Sequence, residues 1–183
     1  MTANPVADKV EAVAVELRLD SISRLYNSFD PAPFREKELD AAADDYIVGS
    51  AEDLAGQAMR LVIMLPESEV ARPEAGHIAE SIRNHFALRE HAELRRLRAE
   101  LRRGRISLLV GLGFLAVCLF VRELLTSSEL AVSRILAEGL LIFGWVAMWG
   151  PIEVFLYGWW PIAGQRRLFA RLARLDVELR PIK

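Results

Sequence analysis

Ile106 to Val121 read ISLLVGLGFLAVCLFV, sixteen consecutive residues without a charge, and the reading of this run decides the fold. As an α-helix it is roughly 24 Å long at ~1.5 Å per residue, a little short of a ~30 Å hydrocarbon layer. Arg122, whose head can snorkel outward, and Leu124–Leu125 supply the missing length. A first membrane helix is therefore expected over 106–125. A second run, GLLIFGWVAMWGPIEVFLYGWWPI (139–162), contains a single acid, Glu153. Its Tyr157, Trp159 and Trp160 stand beside Gln165–Arg166–Arg167, the pattern of a helix leaving a bilayer through an aromatic belt. A buried core helix is the ordinary explanation of one shorter run. Two such runs in one chain, each with an arginine cluster at one end only, argue for membrane spans.

Outward from these runs the charge is partitioned. The chain has 183 residues, 52% hydrophobic and 26% charged, with a formal net charge of −2 and a mean hydropathy of +0.20, which excludes a disordered chain. Residues 1–84 carry 8 Lys+Arg against 16 Asp+Glu, whereas 85–105 carry seven Arg against three Glu. Residues 106–163 carry two Arg against four Glu, and 164–183 six Lys+Arg against two acids. An acidic head thus joins an apolar pair bracketed by basic flanks. The positive-inside rule places both termini in the cytoplasm and makes the pair a hairpin. The first 20 residues lack the apolar core of a secretory signal, so the N-terminus is expected to stay where it is made. A tight turn near Thr126 would draw Arg134 and Glu138 into the bilayer, Glu138 nearly to its middle, at ~2–3 kcal/mol per charge. Residues 126–138 are therefore expected to form an extracytoplasmic cap, with a short interfacial helix around Leu130, Ile135 and Leu136 and Ser128 as its N-cap.

VAVELRL (13–19) alternates as a half-buried strand and MRLVIML (59–65) is a second, apolar on both faces. A short helix is expected over 21–29, and one capped by Asp40 from there to about Leu54, with Gly56 just beyond. Strands separated by helices favour parallel pairing with a right-handed crossover. LDVELRP (175–181) repeats the VELR of 15–18, and a hairpin returns it to the side of the first two strands. The expected class is α+β, mostly helical: a two-helix transmembrane hairpin plus a small cytoplasmic domain with a two- or three-stranded sheet that the C-terminal strand joins. The segments are a head over 1–72, a long basic helix over 73–105 leading into the membrane, spans over 106–125 and 139–162, the cap over 126–138, and a basic tail with the last strand over 163–183. From Pro73 the long helix is expected to run into the first span as one rod.

Glu153 is the candidate functional residue, because an acid within a span is by default a proton relay, an ion site or the partner of a buried cation. It follows Gly150–Pro151, where a kink is expected, and counting from Trp159 sets it roughly 9 Å below the interface at ~1.5 Å per residue. Arg103 and Arg105, at the start of the first span, are the pairing cations, and Glu153 is expected opposite Gly111–Gly113. Ser107, Gly111 and Gly113 offer close helix approach, and Trp145 and Trp149 share one face for a helix, lipid, subunit or ligand contact. Glu74-x-x-His77-x-x-Glu80 has di-iron spacing, but a di-iron site needs a second such motif and the chain has none. Cys118 is the single cysteine, so no internal disulfide or Cys-based zinc site is available. No metal or cofactor is expected. No phosphate loop, nucleophile elbow, Cys/His pair or HExxH occurs, and a non-enzymatic role is the expectation. The arginines beside the spans read as topology signals and contacts for anionic lipid head groups, not as a nucleic-acid surface.

LDSISRLYNSFDPAPF (19–34) and WGPIEVFLYGWWPI (149–162) resemble segments of a family of small uncharacterised bacterial inner-membrane proteins with a cytoplasmic domain and two transmembrane helices. The resemblance implies a bacterial inner membrane and no known activity, so it assigns no catalytic residue. The expected function is an oligomeric membrane interaction or assembly protein whose head docks another copy or another membrane protein. The alternative is a subunit of a transport or ion- and proton-conducting assembly that uses Glu153.

Overall fold

The computed structural model describes residues 12–33, 37–54, 56–126 and 131–182. In chain order they form β1 (Val13–Arg18), a 3-10 turn (Ile22–Leu25), α1 (Ala41–Asp53), β2 (Met59–Pro66), α2 (Glu67–Val70), a 3-10 turn (Pro73–His77), α3 (Ile78–Thr126), α4 (Ala131–Ala147), α5 (Trp149–Glu153), a π-turn (Val154–Gly158), α6 (Trp160–Leu172) and β3 (Asp176–Ile182). The fold is α+β and mostly helical, and the C-terminal strand joins the N-terminal pair. The chain divides into two compact units, one ending at His91 and completed by the residues from Arg166 onward, the other Ala92–Gln165.

The first unit is built on a parallel sheet in the order β1-β2-β3. Its register aligns Val15, Leu61 and Val177 in one row and Leu17, Ile63 and Leu179 in the next. These rows face a core that includes Ile47 of α1, Ile78, Ile82 and Phe86 of α3, and Phe169 and Leu172 of α6. The alternation read in the sequence is this face. Residues between them face the other way, and charges hold the register there: Arg60 Nε lies 3.3 Å from Asp176 and its Nη1 3.5 Å from Glu178, to which Arg180 Nε donates at 2.9 Å. Such exposed pairs stabilise little singly. Val62, between Arg60 and Met64 on this side of β2, is completely buried.

Asp40 starts α1 by accepting a hydrogen bond from the Ala42 N–H at 3.0 Å. After its end Gly56 takes φ +98°, a conformation that favours glycine. The helix expected over 21–29 is only the turn Ile22–Leu25. Tyr26 instead bridges to Leu39, and Asn27 Oδ1 accepts the Phe29 N–H at 3.0 Å, so the chain opens into a loop. Asp30 organises that loop, accepting the N–H of Glu38 at 2.7 Å and of Ala32 at 2.9 Å. Those two donors hold its carboxyl below the usual carboxylate range.

Asp44 in the first turn of α1 meets His85 and Arg89, one helical turn apart on α3: His85 Nε2 is 3.1 Å from Asp44 Oδ1, and Arg89 binds Oδ2. The guanidinium carbon of Arg89 also lies 4.3 Å above the ring centre of Phe169, which stacks on Phe86. Burial works to raise the Asp44 pKa, but the hydrogen bonds from His85 and Arg89 outweigh it and hold the carboxyl low. A depressed folded-state pKa contributes stability that is complete above the unfolded value near 4 and is lost as pH falls through the lower folded value. Asp44→Asn is therefore expected to lower head stability at neutral pH by about 1–2 kcal/mol, the range for partly exposed charge-assisted bonds. The deficit should shrink as pH falls below about 4, where the unfolded carboxylate is protonated first, and disappear below the lower folded value, as read by urea titration followed by hydrogen exchange. A deficit that stayed constant down to pH 2 would contradict this assignment.

Candidate functional site

The second unit is an antiparallel pair, α3 from Ala92 onward against α4, α5 and the π-turn. Glycines and small residues set its register. A Cβ added to Gly104 would come 2.7 Å from Val154, one on Gly111 3.2 Å from the Ala147 carbonyl oxygen, and one on Gly144 2.7 Å from Leu115 and 3.4 Å from the Cys118 Cβ. Cys118 and Ala137 are buried accordingly. Cys118 therefore serves as a small packing residue.

This register moves the charged residues to levels that spacing along one helix could not give. Residue numbers facing one another across the pair total near 258, so Glu153 stands level with Arg105 and Ile106, and Glu138 level with Phe120 and Val121. The charge-free stretches 106–121 and 139–152 consequently lie side by side, roughly 21–24 Å long at ~1.5 Å per residue. Their outward residues are apolar and exposed, among them Leu109, Val110, Phe120, Ile142, Phe143 and Val146. Two helices of the fold, taken with their helical extensions as Pro73–Thr126 and Val132–Leu172, are long and apolar enough to cross a membrane.

Two expectations change as a result. The separate helix around residues 130–136 is replaced by the first turns of α4, which begins at Ala131; Ser128 and Leu130 lie outside the described residues. In this register Glu138 sits level with the end of the charge-free band and not with its centre. Glu153 is also not opposite Gly111–Gly113. Gly111 packs on Ala147, Met148 and Pro151, while nothing lies within 4 Å of a Cβ at Gly113.

Glu153 instead lines a cleft of about 300 Å³ with Gly150 and Gly158 on its own side and Glu100, Arg103 and Ser107 of α3. The break in the second helix shapes it. Pro151 has no N–H to give the Ala147 carbonyl, Met148 forms a turn, and a π-turn follows. Trp159 Nε1 donates to the Phe155 carbonyl at 2.9 Å, serving an acceptor within that irregular segment. Arg103 shares the cleft, whereas Arg105 turns back to the Leu101 carbonyl at 3.3 Å. Among the described residues Glu100, Arg103 and Glu153 make no side-chain hydrogen bond and no ion pair within 4 Å. Trp145, Trp149, Tyr157 and Trp160 are 62–72% exposed, so these rings present their faces outward, and Trp159 meets Trp160 edge-on.

Glu100 was not singled out by the sequence, although its i,i+3 spacing to Arg103 marks a shared helix face. The Asp44–His85–Arg89 cluster was missed too, and His85-x-x-x-Arg89 was its only local sign. Among the described residues no group of three or more His, Cys, Asp or Glu could hold a metal ion. Compared with protein-family models, curated proteins and solved structures, the chain gives no match.

Proposed function

We propose that this chain is an integral membrane interaction protein of the bacterial inner membrane, a hairpin whose two ends combine into one cytoplasmic docking head. The observation that carries the reading is the pairing of β3 with β2. β2 precedes both apolar helices and β3 follows both, so a crossing by each helix is compatible with this sheet only if the number of crossings is even and both ends share one side. Seven arginines over 85–105 and five beyond residue 163 favour the cytoplasm as that side.

Docking is supported by the head's surface. The sheet ends in two outer strands, β1 and β3, and edges of this kind accept further strands. Phe29 projects from the loop that Asp30 organises with 93% of its surface exposed. A transport role is less well supported, because the register leaves Glu153 at the end of the charge-free band and no acid within it. The test is the mass of the detergent-solubilised full chain by light scattering, with the detergent subtracted. Two or more copies, or a stoichiometric membrane partner, is the expected result. A solitary monomer that nonetheless mediates ion or proton flux abolished by Glu153→Gln would overturn the reading in favour of transport.

A further inference from the structure

We propose that the Glu100–Arg103–Glu153 cleft binds the head group of an amine-bearing zwitterionic phospholipid, its ammonium at the two glutamates and its phosphate at Arg103. The inference rests on the reading of the hairpin as membrane-spanning, since the register then sets the cleft at the proximal end of the charge-free band, where head groups lie.

The cleft's chemistry selects the ligand. Two carboxylates and one guanidinium converge on one cavity of about 300 Å³ without pairing one another. Arg103 and Glu153 are exposed and Glu100 is half-buried, so the three charges are accessible from outside, and a ligand that supplies both signs satisfies all of them at once. An anionic head group without an amine would satisfy Arg103 but lie against two carboxylates. A quaternary ammonium has no N–H to donate to a carboxylate and is ordinarily held by aromatic faces, and among the described residues no aromatic ring lines the cleft. A primary ammonium donates three hydrogen bonds and suits paired carboxylates, while the planar guanidinium suits a phosphate.

The surroundings favour a lipid over a free head group. A second groove, of about 470 Å³, shares Arg103 and Ser107 with the cleft and continues along α3 past Ile106 and Val110. A head group in the cleft would therefore leave its chains beside apolar side chains on the membrane side. Gly150 and Gly158 bring the second helix close to the α3 side of the cleft: a Cβ on Gly158 would come 3.7 Å from Glu100 Oε1, and one on Gly150 3.9 Å from Ser107 Oγ.

The full chain, purified in a mild detergent and stripped of lipid, can be titrated by native mass spectrometry with phosphatidylethanolamine, phosphatidylcholine and phosphatidylglycerol of identical chains. Glycerophosphoethanolamine, which has no chains, is the fourth ligand. Phosphatidylethanolamine is expected to bind at least roughly fivefold more tightly than each of the others. Glu153→Gln and Arg103→Gln should each remove that preference, Arg103→Lys should restore part of it, and Arg167→Gln on α6 should leave it intact. Equal binding of the three lipids, or an unchanged preference in both cleft variants, would overturn the proposal. Glycerophosphoethanolamine binding as tightly as the lipid would overturn the lipid assignment. A chain that stays soluble without detergent would instead refute the membrane reading, so the two failures are distinguishable.

Discussion

Phe86→Ala is expected to destabilise the head by about 3–5 kcal/mol, the cost of emptying a well-packed phenylalanine site. Phe86 is completely buried, stacks on Phe169 with ring centres 6.3 Å apart and meets His85 edge-on at 5.2 Å. It therefore touches both α6 and the residue that braces Asp44, so the cavity would be lined by elements from both ends of the chain. Phe169, its stacking partner, is itself covered by the Arg89 guanidinium. The measurement must be local. All four tryptophans lie in the Ala92–Gln165 unit, so indole fluorescence does not report the head. Hydrogen exchange of β2 amides in the full chain does, and protection should fall by a factor of about 10² or more. Phe29→Ala is the control: the side chain is 93% exposed, and its loss should change stability by less than about 0.5 kcal/mol.

Gly111→Leu is expected to separate the two apolar helices, whereas Gly113→Leu, two residues on, is not. At Gly111 even a Cβ would stand 3.2 Å from the Ala147 carbonyl oxygen and 3.2 Å from Met148 Sδ, and the carbonyl belongs to backbone that cannot rotate aside. A leucine there needs the helices to part, and overpacking of this kind costs about 1–3 kcal/mol. At Gly113 the same atom meets nothing within 4 Å. Gly144→Cys gives the readout, since its Cβ would lie 3.4 Å from the Cβ of Cys118, close to disulfide spacing. Oxidation should link the two cysteines in that background and in its Gly113→Leu derivative. The Gly111→Leu derivative should link roughly tenfold more slowly. Equal rates in both derivatives would contradict the register.

What was legible in the sequence is what depends on local pattern. Val15 and Leu17 alternate with Glu16 and Arg18, Asp40 is a good cap, and the VELR of 177–180 repeats an existing strand; each sets its own structure, and the three-stranded sheet follows. The levels of charges across the hairpin were not legible, because they depend on which residues of two helices face each other. Counted along its own helix Glu138 is expected nearly at mid-span, whereas the packing of Gly144 against Cys118 sets it level with the end of the charge-free band. Glu153 stands out in the sequence as the one acid of the second apolar run, yet its neighbours Glu100 and Ser107 emerge only from that pairing. The Asp44–His85–Arg89 brace joins residues 41 and 45 positions apart, beyond any local spacing rule. The π-turn was expected only as a kink, since Pro151 announces a lost hydrogen bond but not how the next turn recovers.

The central claim is that two adjacent helices cross a membrane and bring both ends of the chain to one side, where they share a sheet. Its most direct measurement is labelling of single cysteines by a membrane-impermeant maleimide in intact cells, in a Cys118→Ser background. Cysteine at Thr126, the last residue of α3, should react from outside, while cysteine at Asp53 or at Arg174 should react only after lysis. Labelling of all three sites from the same side, or of Asp53 and Arg174 from opposite sides, would contradict it.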